Sequence, residues 1–177
     1  AIAAANGTNS EAEYKAYDTE VGQLIQSLAQ IGNSKYDGRF LFGGTITMAS
    51  PLTADEGTGR ITFSGNNEKI HHEVLPGVEI QINTTGYEIF DAPGASDESL
   101  SDVLEKFKRG LSDAASEERK AIGGEILKQL DEKIEAVLSI RAKNGATSNR
   151  LEAMLSLNDS EALNLTALLS KAEDIDF

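Results

Sequence analysis

Cysteine is absent from all 177 residues. That excludes disulfides and thiolate metal sites and suits a chain that crosses between redox compartments. Proline is nearly absent too, with three residues confined to the stretch from Pro51 to Pro93. Nothing therefore forbids a helix from about Ser116 to Phe177, which at 1.5 Å per residue spans roughly 90 Å. No apolar run approaches the length needed to cross a bilayer, and no signal-peptide pattern is present. Positive charge is scarce: 16 Lys and Arg stand against 29 Asp and Glu, a formal charge of -13. Such a surface argues against nucleic acid as a partner, since phosphate binding needs a basic face. The acids are spread, with seven acids and two bases over 45–95 and seventeen acids and eleven bases over 97–177, so no single acidic tail exists.

Catalytic and metal-binding patterns are missing as well. The only histidines, His71 and His72, adjoin Glu73 on a predicted strand. Successive strand residues point to opposite faces, so the pair does not chelate one ion. There is no G-x-S-x-G, no P-loop and no H-E-x-x-H. Gly43-Gly44-Thr45 is followed by no lysine and opens no helix, so it is not read as a phosphate cradle. Glu125, Asp131, Glu132 and Glu135 lie among Lys128 and Lys133, the pattern of a solvated, ion-paired helix face. Four Asn-x-Ser/Thr sequons, at Asn6, Asn83, Asn158 and Asn164, are no more than chance supplies. The expectation is no enzyme, no cofactor and no metal.

What the chain does contain is coiled-coil spacing near each end. Tyr14, Tyr17, Val21, Leu24, Leu28 and Ile31 alternate steps of three and four. Val137, Arg141, Asn144, Ser148, Leu151, Leu155, Asn158, Ala162, Leu165, Leu169 and Ala172 do the same. Each set places one stripe on one helix face. Both patterns are cut off, and the chain is expected to be a trimmed fragment lacking both terminal coiled-coil segments. The middle of the second helix is expected to pack against other segments, and its end to continue into a coiled coil.

Asn6-Gly7-Thr8-Asn9-Ser10 interrupts a short Ala-rich stretch, with Ser10 as N-cap and Glu11 and Glu13 in the first turn of a helix to about Ser34. Gly22 and Gly32 are expected to weaken it. Asp37-Gly38 marks a turn before Phe40, Leu41 and Phe42. From 45 to 96 the pattern changes to short alternating runs. Arg60–Phe63 and Glu79–Asn83 read as strands, Lys69–Val74 and Tyr87–Phe90 less strongly, with Leu75-Pro76-Gly77 and Thr85-Gly86 as turns. Ser99 and Asp102 have the spacing of a capping box. A loop at Asp113–Ser116 then precedes the long helix, whose first turns Gly123 and Gly124 should weaken. The fold class expected is mainly α with a small β insert: an elongated rod from 1–44 and 97–177, a β-rich insert at 45–96, and the chain's two ends pointing the same way.

The run Ala4-Ala5-Asn6-Gly7-Thr8-Asn9-Ser10, the heptad helix and Asn33-Ser34-Lys35-Tyr36-Asp37-Gly38-Arg39-Phe40-Leu41-Phe42-Gly43-Gly44-Thr45 together resemble the flagellin superfamily. Arg141-Ala142-Lys143-Asn144-Gly145-Ala146-Thr147-Ser148-Asn149-Arg150-Leu151-Glu152 is similar to its carboxy-terminal signature. Leu163-Asn164-Leu165-Thr166 through Glu173-Asp174-Ile175-Asp176 looks like the segment leading into its terminal coiled coil. Within the superfamily, the form of Asp37 to Thr45 resembles the branch at the junction of hook and filament. Asn144 departs from the pattern, where many relatives carry Leu or Val. The resemblance implies a structural protein of the bacterial flagellum, exported through the flagellar channel to the cell exterior. Its implied partners are the first hook-associated protein on one side and flagellin on the other. Self-association in a ring would use the missing terminal helices, and an export chaperone would serve the full-length chain. The fragment alone is expected to be monomeric. Tyr14, Tyr17, Arg39, Phe40, Asn149 and Arg150 are the candidates for rod packing or subunit contact. Two other readings stay open: flagellin itself, and an enzyme or binding module carried on a helical rod.

Overall fold

The computed structural model describes residues 1–5, 9–91 and 98–173. The interruption at Asn6, Gly7 and Thr8, the close of the insert around Pro93, and the helix end beyond Glu173 lie outside the described residues.

Helix α1 runs Glu11–Gly32 and begins as a full capping box: the Ser10 hydroxyl accepts from the Glu13 N–H, and the Glu13 carboxylate accepts from the Ser10 N–H. Helix α2, Leu100–Ser112, starts with the same device built from Ser99 and Asp102. After a bend at 113–116, Ser116 caps helix α3, Glu117–Ala121. A π-helical turn at Ile122–Ile126 carries Gly123 and Gly124, and helix α4 continues over Leu127–Glu173. At 47 residues, α4 is about 70 Å long. No helix among the described residues is long and apolar enough to cross a membrane.

Among the described residues, six short strands form three separate antiparallel pairs. β1 (Lys35–Tyr36) and β2 (Arg39–Phe40) are joined through Asp37 and Gly38, at φ 49° and 74°. That is the two-residue turn with both central residues left-handed, for which Asp-Gly is a preferred sequence. β3 (Leu52–Ala54) pairs with β4 (Ile61–Phe63). β5 (His71–Leu75) pairs with β6 (Val78–Gln81) across the Pro76-Gly77 turn, where Gly77 has φ 77°. The segment Tyr87–Phe90, expected as a strand, is instead part of a π-helical turn at Tyr87–Asp91. The turn drives Phe90 into the core against α1. Burial of one aromatic outweighs the local preference of the run for extended backbone.

Two apolar clusters hold these elements together. In the first, Tyr14 of α1 meets Val103, Phe107 and Leu111 of α2, with Ile122, Ile126 and Ala4. In the second, Ile25 and Ala29 of α1 pack on Leu52, Ile61 and Phe90. Of the heptad stripe expected, Tyr14 is buried and Tyr17, Val21 and Leu28 pack against the clusters, while the most buried line of α1 is Tyr14, Gly22, Ile25, Ala29 and Gly32, turned partly away from that stripe. Leu24 and Ile31 of that stripe are 61% and 65% exposed. The rotation follows from close approach: a Cβ on Gly32 would sit 2.1 Å from Leu52 Cδ1 and 3.3 Å from the Phe90 ring. Gly32 is thus a packing position for β3, not a weak point. Lys108 is buried at the α1–α2 seam, its Nζ donating to the Asp18 carbonyl at 2.6 Å and lying 2.8 Å from the Asp18 carboxylate.

The direction of the chain differs from expectation. Ala4 packs on Ile122 and Ile126, and Leu28 near the end of α1 shares a groove with Leu130, Ile134 and Leu138. α1 and the first part of α4 therefore run the same way. Residues 1–5 lie beside the start of α4 and Glu173 lies at its far end, so these two described segments sit at opposite ends of the long helix.

The capping carboxylates predict an acid response. Glu13 is held below the ordinary carboxyl range by the Ser10 N–H and then its hydroxyl, and Asp102 by the Ser99 hydroxyl and then its N–H. Asp55 is lowered by the Thr58 and Gly57 N–H groups. Folded values below unfolded ones give stability that is present above the unfolded pKa and lost as pH falls through the folded one. The urea midpoint should be flat above about pH 5 and decline below about pH 4. A Glu13→Gln, Asp102→Asn double variant should show a shallower acid limb in the same titration.

Candidate functional site

Two surfaces on this rod are built for contact. The first is a bare apolar stripe. Leu28, Leu100, Leu130, Ile134, Val137 and Leu138 line a shallow groove between α1, α2 and α4. Beyond it Leu155, Leu165 and Leu169 of α4 stand more than half exposed. Within this chain the middle of the long helix is mostly bare, with Arg141–Ala146 and Ser148–Arg150 exposed and only Thr84 reaching Asn144 by a hydrogen bond. The chain's own packing on α4 is concentrated near Ile126, Leu130 and Lys133.

The second is a cleft of about 710 Å³ between the β1–β2 and β5–β6 hairpins and α4. One hydrogen bond bridges it: Thr84 Oγ1 donates to Asn144 Oδ1 at 3.0 Å. Tyr36, Leu41 and Ile82 give the cleft apolar surface, and Arg39, Lys143 and Arg150 give it positive charge. Glu79 is its one carboxylate among the lining residues. None of the three cations meets a carboxylate among the described ion pairs. Nearby, the Lys35 ammonium lies 4.3 Å from the centre of the Phe40 ring, a cation–π contact.

The six residues singled out from sequence fall in different places. Tyr14 is buried in the first cluster, with the Arg119 guanidinium 3.8 Å over its ring, and Tyr17 packs at the edge of that cluster. Arg119 also donates to the carbonyls of Gly110 and Leu111, fastening the α2–α3 bend onto α1. Arg39, Phe40 and Arg150 come together at the cleft, toward the other end of α1. Asn149 is exposed on α4 and is not among the residues lining the cleft. Sequence reasoning missed Tyr36, Thr84 and Lys143 as cleft residues. A signal existed in Asn144, a polar residue at a stripe position, whose amide oxygen accepts from the Thr84 hydroxyl.

His71 lines the cleft, while its neighbour His72 pairs with Ile80 across the hairpin.

No protein-family model matches the chain. Among curated proteins, it is 25% identical over 193 aligned positions to flagellar hook-associated protein 3 of Escherichia coli (strain K12), covering 99% of this chain and 60% of that protein. It is 27% identical over 175 positions to flagellin of Bacillus subtilis (strain 168), covering 96% of this chain and 55% of that protein. The chain thus spans about 60% of the length of the hook-associated relative it matches. Among solved structures it resembles flagellar hook-associated protein 3 of Legionella pneumophila, with TM-score 0.83 and 16% identity over 99% of this chain and 86% of that one. It also resembles FlgL of Xanthomonas campestris, with TM-score 0.74 and 15% identity over 96% of this chain and 86% of that one. The fold is that of these flagellar hook-associated proteins.

Proposed function

We propose that this chain is the rod and insert of a structural subunit at the flagellar hook–filament junction, standing between the first hook-associated protein and flagellin. The observation that carries the reading is alignment along nearly its whole length, in sequence and in fold, with proteins named hook-associated protein 3. The rod comprises 1–44 and 97–177 and the insert 45–96. The exposed stripe on α1 and α4 supports packing against further helices of the full-length protein, through which copies close into a ring. On this reading the subunit is exported to the cell exterior and has no catalytic role. The isolated 177-residue chain is monomeric at micromolar concentration.

A flagellin reading draws on one observation, the 27% identity to the Bacillus subtilis protein. Deleting the gene separates the two. A junction subunit leaves bare hooks by electron microscopy and flagellin spilled into the medium. A filament subunit leaves bare hooks and no secreted flagellin, and normal filaments would overturn both.

A further inference from the structure

We infer that the cleft between the two hairpins and α4 is a socket for an acid-bearing surface of a second copy of this chain. The inference rests on the junction reading in one respect, that copies of the chain meet side by side.

The argument starts from where charge is satisfied. Every cation in a described ion pair lies between Arg60 and Lys128. Arg39 of the β1–β2 hairpin and Lys143 and Arg150 of the facing stretch of α4 have no carboxylate partner there, and Lys35 of the same hairpin lies over the Phe40 ring. Lys15, Arg141 and Lys171 enter no described ion pair either, but in a chain with formal charge -13 this cleft brings three such cations to one concave place. The rest of the surface holds what it lacks: Glu20 and Glu56 are exposed and enter no described ion pair, and the Glu56 stem lies against Gly22 of α1.

The cleft also has the anatomy of an interface. Tyr36, 76% exposed, with Leu41 and Ile82, supplies apolar surface beside the cations, and aromatic and apolar anchors with charge at the rim are how protein interfaces are built. Glu20 and Glu56 do not line the cleft, so a socket that takes them makes a heterologous contact. Repeated with rotation, such a contact closes a ring, whereas a two-fold pair would need one patch to match itself. A polyanion such as nucleic acid is disfavoured by repulsion from the rest of the surface. A single exposed contact of this kind is weak and screened by salt, which agrees with a monomer at micromolar concentration.

The absence of cysteine makes the test clean. Ser148→Cys places one thiol at the cleft of the 177-residue chain, to be coupled to a benzophenone maleimide and photolysed in concentrated solution. The expected result is an interchain product that peptide mass spectrometry maps to a segment bearing Asp or Glu. Its yield should fall about fivefold between roughly 0.01 M and 1 M salt, and likewise with Lys143→Glu plus Arg150→Glu. Those two side chains are exposed, so circular dichroism should show the fold intact. Products confined to a single chain, or an interchain product indifferent to both salt and charge reversal, would overturn the socket. Capture of added flagellin in place of a second copy would overturn it too. The crosslink reads the cleft directly, so normal filaments in the deletion strain would sink the junction reading without touching this result.

Discussion

Phe107→Ala should lower the unfolding free energy by about 3–5 kcal/mol, the range for truncating a well-packed aromatic. Phe107 is 4% exposed and lies where the helices meet, packed with Tyr14 of α1, Val103 and Leu111 of α2, and Ile122 and Ile126 at the entry to α4. These neighbours come from three parts of the chain, so no single helix can slide in to fill the space. Urea unfolding followed by circular dichroism should show a lower midpoint with an unchanged slope. Leu155→Ala is the control: at 63% exposure it should shift stability by less than about 0.5 kcal/mol. A small effect at Phe107 would mean that the first cluster is not a packed core.

Asn33→Ala should cost about 2–4 kcal/mol by a different mechanism. Asn33 caps the end of α1, and its amide reads the backbone of β3 like a paired strand. Nδ2 donates to the Leu52 carbonyl at 2.8 Å, and the Leu52 N–H donates to Oδ1 at 3.0 Å. Leu52 is 2% exposed, so removing the amide strands a buried donor and leaves its carbonyl only a 3.4 Å bond from Ser50 Oγ. Asn33→Asp keeps the acceptor and loses the donor, so its cost should fall between wild type and Asn33→Ala. If alanine and aspartate behave alike in urea titrations, the paired hydrogen bonds are not what fastens β3 to α1.

Features set by neighbours in sequence were legible from sequence. The two capping boxes need only a serine and an acid three residues on, and the Asp37-Gly38 and Pro76-Gly77 turns need only residues that tolerate their backbone angles. The softening at Gly123-Gly124 was likewise legible, and its form is a π-helical turn. Features set by distant partners were not. β3 was invisible because its register depends on Asn33 and on pairing with β4, and the run Leu52-Thr53-Ala54 has no strong pattern of its own. The stripe of α1 holds at Tyr14, Tyr17, Val21 and Leu28 but not at Leu24 and Ile31, because Gly22 and Gly32, which look like helix breakers, let other elements approach and turn Ile25 and Ala29 inward. The relative direction of α1 and α4 has no local signature at all. Arg39, Phe40 and Arg150 were picked for their place in family-like motifs. That the fold gathers them at one cleft, while Tyr14 and Tyr17 serve the core, was beyond any single motif.

Immunogold electron microscopy of intact flagella, with antibody raised against the 177-residue chain, tests the central claim most directly. The account predicts one narrow band of gold at the boundary between hook and filament. Gold along the whole filament, or none on the flagellum, would contradict it.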